Sequence, residues 1–116
     1  MSDIYNFLID TGVDFERKIT WKDSAGNIIP LTGYVITMQV RKNNKLGELI
    51  VDLSDKITVV SNVININILA IDTLIFNDYF RKDNYYDIIL TKDGKTKRLI
   101  QGNIMVKIGD EIWVIL

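Results

Sequence analysis

Acidic side chains close to glycine are the first candidates for chemistry in this chain. Asp10 and Asp14 flank Gly12, Asp23 stands near Gly26, and Asp93 precedes Gly94. Oxygen clusters in tight loops are what calcium takes, but a dedicated calcium loop alternates its acids densely. None of these three loops does, and Asx-type turn bonding accounts for them better. Two carboxylates facing each other across a cleft would hydrolyse a glycosidic bond. Spacing does not forbid such a pair, yet only Asp87 has an aromatic setting, after Tyr85 and Tyr86. Tyr85-Tyr86-Asp87 has the make-up of a sugar-stacking platform. On an alternating strand it also reads as Tyr86 in the core, with Tyr85 and Asp87 outward beside cross-strand lysines and Arg98. Lys95, Lys97 and Arg98 with an outward Tyr85 would suit single-stranded nucleic acid, and a solvated hairpin tip explains the same charges.

Composition narrows the choice. The 116 residues include no histidine, the commonest general base and zinc ligand, and no cysteine for disulfides or thiolate sites. The seven glycines never form GxGxxG or a phosphate-binding loop; they are spaced like turn markers. Fourteen basic residues against fifteen acidic ones leave a net charge of −1. That provides no basic footprint for nucleic acid. It also does little to keep copies apart, which suits self-association. No apolar run approaches the ~20 residues of a membrane helix, and the opening lacks the basic-then-apolar build of a leader. The expectation is a non-enzymatic protein without cofactor or metal, made in a cytoplasm, partnered by neither nucleic acid nor membrane.

The elements that would position these residues are strands. Tyr34, Ile36, Met38 and Val40 alternate with Val35, Thr37, Gln39 and Arg41, which is a strand with one face on a core. Residues 4–9 read as a short opening arm, with Asp10-Thr11-Gly12 as its turn. In residues 13–22, Phe15, Ile19 and Trp21 face inward. Arg17 shares their parity, so it snorkels from a sheet edge or marks a bulge. Residues 23–27 form a turn. In residues 48–53, Leu49, Val51 and Leu53 share a side. Residues 57–60 and 63–69, parted by Ser61-Asn62, read as a hairpin with Ile64, Ile66 and Ile68 in phase. Ile71, Leu74 and Ile75 fall at helical spacing, which predicts a short helical crossover near 70–80. Residues 81–84 read as a solvated loop. Tyr86, Ile88 and Leu90 face inward on the next strand, and Asp93-Gly94 turns it into the last long one. Apolar parity changes between Leu99 and the set Ile104, Val106, Ile108, which predicts a bulge at Gly102. Gly109-Asp110 would turn the chain into a final strand over 111–116. The prediction is one domain over 1–116: all-β, a two-layer antiparallel sandwich.

Taken in order, several segments resemble a known family. They are Asp14-Phe15, Lys22-Asp23, Gly26-Asn27, Leu31-Thr32-Gly33-Tyr34 and Gln39-Val40-Arg41, then Tyr86-Asp87-Ile88, Asp93-Gly94, Leu99 and Gly102-Asn103-Ile104-Met105-Val106. Together they resemble the small immunoglobulin-like β-sandwich proteins of tailed bacteriophages and prophages. Similar domains open the baseplate upper proteins that carry receptor-binding proteins in phages of Gram-positive hosts. The resemblance runs over roughly residues 7–108. Two stretches depart from it: residues 75–84 are longer than the usual turn, and residues 111–116 are unusually apolar. It implies an immunoglobulin-like sandwich located in a virion, a tail or baseplate adaptor or a capsid decoration module. The implied partners are other virion proteins and further copies in a symmetric assembly. It carries no catalytic residues. A carbohydrate-binding module, with Tyr85, Trp113 or Trp21 as its aromatic surface, is the alternative.

A contact module must expose apolar groups for its partner or offer a strand edge. Ile112, Trp113, Val114, Ile115 and Leu116 are five apolar residues in a row, and one sheet buries only alternate residues of a strand. Tyr5 and Phe7 in the arm have the same character. These seven residues are the candidate partner-binding set.

Overall fold

The period-two segment becomes the strand on which one sheet is built. The computed structural model describes residues 3–79 and 84–108. In it, β1 (Asp3–Ile4) and β2 (Phe7–Thr11) form the arm, followed by β3 (Phe15–Thr20), β4 (Val35–Lys42) and β5 (Leu49–Asp52). A single 3-10 turn, Ser54–Lys56, leads to β6 (Ile57–Val60) and β7 (Val63–Ile68). Helix α1 (Ala70–Thr73) runs into a 3-10 helix, Leu74–Tyr79, before β8 (Asn84–Lys92) and β9 (Lys95–Ile108). β4 pairs with β8 from Val35 opposite Thr91 to Lys42 opposite Asn84. Met38, Val40, Tyr86, Ile88 and Leu90 are sealed from solvent along that pair, as the alternation predicts.

β9, β8, β4 and β5 follow one another in the larger sheet, with the arm on β9; β3, β7 and β6 make the smaller one. The inner faces meet in one core. Phe15, Ile64, Ile66 and Ile68 enter it from the smaller sheet, and Ile19 and Trp21 pack against it. Burial on this scale drives folding: each large apolar side chain removed from water is worth about 1.5–3 kcal/mol.

The turns follow local chemistry. Asp93 and Gly94 both have positive φ, 51° and 76°, the primed turn that matches strand twist. Ser61 and Asn62 adopt the same handedness, at 51° and 61°, without glycine. The side-chain oxygen of Asn62 also accepts the Leu31 N–H at 3.2 Å, pinning the long β3–β4 loop. Serine suits left-handed backbone less well than asparagine. Ser61→Asn is therefore expected to stabilise the fold by about 0.5 kcal/mol, raising Tm by roughly 2–4 °C in calorimetry.

The crossover over 70–79 is helical, as its spacing predicts, and Thr73 and Phe76 are fully buried in it. It is tied to the β2–β3 turn. Asp14 Oδ1 accepts the Ala70 N–H at 2.7 Å, and Thr73 Oγ1 accepts the Gly12 N–H at 2.8 Å. The acid of this glycine loop thus caps the first N–H of the helix, that of Ala70.

Several expectations need correction. The sheets are not wholly antiparallel: β1 and β2 both run parallel to β9. The Asp10-Thr11-Gly12 turn is present, closed by the Val13 N–H on the Asp10 carbonyl at 3.3 Å, although Thr11 is also the buried last residue of β2. Leu49 is exposed while Leu53 is buried, because the β4–β5 register shifts at Val40/Arg41. Asn84 is a buried strand residue, not part of a solvated loop; its amide donates to the Ile104 carbonyl at 3.3 Å. The β8–β9 ladder jumps from Ile88–Ile100 to Ile89–Arg98, so the extra residue is Leu99, not Gly102. Both Leu99 and Ile100 then reach the core, which explains the parity change. Arg17 sits in an unbroken register and lies 4.6 Å over the Phe15 ring, so it snorkels and there is no bulge. Residues 81–83, the Gly109-Asp110 turn and the strand expected over 111–116 lie outside the described residues.

Candidate contact surface

The arm is laid against β9 by glycine and by hydrogen bonds. A Cβ on Gly102 would stand 2.1 Å from the Tyr5 carbonyl oxygen and 2.9 Å from Asn6 Oδ1. Only glycine lets the backbones approach this closely. The Tyr5 N–H donates to the Gln101 carbonyl at 2.9 Å, and Asn6 Oδ1 accepts the Asn103 N–H at 2.9 Å. The buried hydroxyl of Tyr86 donates to the Tyr5 carbonyl. Burial pushes the Tyr86 phenol well above its ordinary pKa, so it stays a donor throughout the physiological range. Phe7 stacks on Tyr86 at 4.7 Å and meets Tyr5 and Phe15 edge-on.

This arrangement divides the candidate set. Tyr5 is 54% exposed and remains available to a partner, whereas Phe7 is 2% exposed. Phe7 is therefore corrected to a residue of the chain's own core: its parity points at Tyr86 and Phe15, not at solvent. Ile112, Trp113, Val114, Ile115 and Leu116 lie outside the described residues. The structure adds residues that the candidate set missed. Leu8 and Met105 are register partners on β2 and β9, and at 48% and 53% exposure they form an apolar pair on the outer face. Ile4, 75% exposed, extends the same arm. Their signal was legible: each is a large apolar residue on the outward parity of its strand.

The polar constellations are otherwise engaged. Asp87 is the one buried carboxylate of the described residues, and Arg98 Nε holds it at 3.2 Å. The Tyr85 hydroxyl donates to Gln101 Oε1 at 3.0 Å. Partial burial, with the Asp87 charge adding to it, raises the Tyr85 pKa. This network sews β8 to β9 and ties down the Tyr85 hydroxyl. Trp21 packs against the core, edge-on to Tyr34 at 5.6 Å, with Lys97 Nζ 5.9 Å above its ring. Asp23 Oδ1 accepts the N–H groups of Ala25 and Asn27, each at 2.9 Å, and the backbone bond from Asn27 lowers its pKa most. It is a turn-former. Among the described residues no three acidic groups gather to hold a metal ion. No helix among them is long and apolar enough to cross a membrane.

No family model and no curated protein matches the chain. Among solved structures, that of the insect immune protein hemolin aligns with a TM-score of 0.50 and 12% identity. The alignment takes in 97% of this chain and 27% of hemolin, so the chain spans about a quarter of that protein's length. The likeness is one of fold. It agrees with the strand plan: β6-β7-β3 corresponds to the D, E and B strands of an immunoglobulin domain, and β9-β8-β4-β5 to G, F, C and C′. The chain has an all-β, immunoglobulin-like sandwich fold.

Proposed function

We propose that this chain is a non-enzymatic structural module of a bacteriophage virion. In this reading it serves as a tail or baseplate adaptor or a capsid decoration protein. It works by protein–protein contact with other virion proteins and with copies of itself in a symmetric assembly. The observation that carries the contact role is the exposed apolar surface of the arm and β9: the outer-face pair Leu8 and Met105, with Ile4 and Tyr5 also exposed. The sequence continues from there into five consecutive apolar residues. Exposed apolar surface of this kind marks an interaction site. The virion assignment is supported by the order of turn and strand segments shared with the phage sandwich family. The hemolin structure was described with implications for homophilic adhesion, which is in keeping with contact between like sandwiches.

A protein inventory of purified virions tests the assignment. The chain is expected among the virion proteins at a fixed copy number, and its absence would reject the virion role. Deleting residues 112–116 is expected to leave a folded chain that no longer assembles in sedimentation velocity. A truncated chain that still assembles, or one that unfolds, counts against the contact role. A glycan array is expected to be blank; specific binding would favour the carbohydrate-binding alternative.

A further inference from the structure

We infer that the free edge of β3 is a strand-acceptor site for residues 111–116 of a second copy of this chain. The inference rests on the contact reading above and names both surfaces of that contact.

β3 pairs with β7 along one edge only; among the described residues no strand lies on its other side. The arm does not fill that place: β1 and β2 are held in the opposite sheet by Gly102 and the Tyr86 hydroxyl. The flank between the two sheets is therefore left as a groove of about 310 Å³. Its floor is Tyr5, Phe7, Ile19 and Ile100, and Arg17 and Lys18 line it along β3. A bare strand edge offers unpaired N–H and C=O groups as a template for another strand. β3 keeps an unbroken register from Phe15 to Thr20 and holds no proline, so nothing in its backbone blunts this edge. Its protection comes from the charges of Glu16, Arg17 and Lys18 and from the Arg17 guanidinium, which donates to the Glu16 carbonyl at 2.7 Å.

The segment after β9 has the complementary make-up. Asp110 and Glu111 lead into Ile112, Trp113, Val114, Ile115 and Leu116, with no basic residue among them. The acids would meet Arg17 and Lys18, and alternate apolar side chains would enter the groove beside Tyr5 and Ile19. Six residues extend about 20 Å, the length of β3 itself.

Reach decides which copy supplies the strand. Ile108 pairs with Thr11, so the chain leaves β9 on the inner side of β2. Passing β2 and crossing to the outer edge of the other sheet takes two strand spacings one way and one sheet spacing at right angles to it, a straight line of about 14 Å. The peptide units from Ile108 to Glu111 span at most about 11 Å. A chain's own segment falls short of a six-residue pairing on β3, whereas the segment of a neighbouring copy meets no such limit.

Because the sequence has no cysteine, cross-linking between full-length chains tests this directly. One preparation carries Lys18→Cys; the others carry single cysteine substitutions at positions 112 to 116 in turn. The preparations are mixed pairwise, oxidised and run on a non-reducing gel. Disulfide-linked dimers are expected, with yields alternating along the segment as a strand requires. Adding Asp110→Lys and Glu111→Lys to the donor should lower the yield several-fold, and Glu48→Cys as acceptor should yield none. No link at any position overturns the inference, as does a disulfide that forms only within one chain carrying both cysteines. If the wild-type chain sediments as an oligomer while Lys18→Cys stays unlinked, the acceptor assignment falls and the contact role stands. A wild-type chain that sediments as a monomer at high micromolar concentration removes both.

Discussion

A chain carrying Ile88→Asp is expected to be unfolded at 25 °C, with the far-ultraviolet signature of a disordered chain and no cooperative melt. Ile88 lies at the centre of β8, opposite Met38 on β4 and Ile100 on β9, and is fully buried. It belongs to a cluster of apolar side chains drawn from both sheets. An unpaired carboxylate in such a place costs several kcal/mol or is forced to take up a proton. The lost aliphatic packing adds about 2–5 kcal/mol, the range for large-to-small core changes. Against a total stability of about 5–15 kcal/mol the sum exhausts the fold. Ile88→Val removes one methylene, costs about 0.5–1.5 kcal/mol and should leave a folded chain melting a few degrees lower. If Ile88→Asp melts like wild type, the inner face of β8 has been assigned to the wrong side.

The second large effect is expected at Gly102. Gly102→Ala puts a methyl where the Tyr5 carbonyl oxygen stands 2.1 Å away and the Tyr5 carbonyl carbon 2.8 Å away. Both are backbone atoms and cannot rotate aside as a side chain would. The arm must move off β9, taking with it the Tyr5–Gln101 and Asn6–Asn103 bonds and the partner of the Tyr86 hydroxyl. Phe7 then loses cover on one side. Overpacking of this kind costs about 1–3 kcal/mol, and each kcal/mol lowers the Tm of a chain this size by roughly 4–8 °C. Hydrogen exchange gives the sharper reading. The amides of Tyr5 and Asn103 should exchange faster while those at the centre of the β4–β8 ladder keep their protection. Tyr86→Phe removes the same anchor from the other side. The two substitutions together should cost less than the sum of each alone, because they break one shared contact. A Gly102→Ala chain that melts within 1 °C of wild type would show that the arm does not lie where it is placed.

The proposed acceptor groove and the arm would be coupled through these same residues. Gly102 holds the arm on β9, and the arm's place on β9 is what leaves β3 with a bare edge. A chain whose arm is displaced would have Tyr5 and Phe7 free to collapse onto β3 and compete with an incoming strand. The proposed contact between copies and the internal order of the arm would thus depend on one backbone approach.

Several features were legible in the residues alone. Alternation in residues 34–40 and 86–90 placed Met38, Val40, Tyr86, Ile88 and Leu90 in the core, because a pleated strand sends successive side chains to opposite faces. Asp93-Gly94 announced its hairpin because few residues accept left-handed backbone. The helical spacing of Ile71, Leu74 and Ile75 announced the crossover. These are local facts, written within a few residues of one another. Pairing is not local. Whether the arm joins β9 or β3, and whether it runs parallel or antiparallel, depends on residues nearly a hundred positions away. Period two reports which face is buried and says nothing of the neighbour. The glycine at 102 was visible as an exception, but its cause, the Tyr5 carbonyl, belongs to the other end of the chain. Phe7 looked as free for a partner as Tyr5 until Tyr86 and Phe15 were seen to enclose it. Side-chain alternation and turn chemistry come from the covalent geometry of neighbouring residues, so the sequence determined the core strands and turns. Strand partners, open edges and exposed pairs such as Leu8 with Met105 come from how distant segments meet, and only the folded chain decided those.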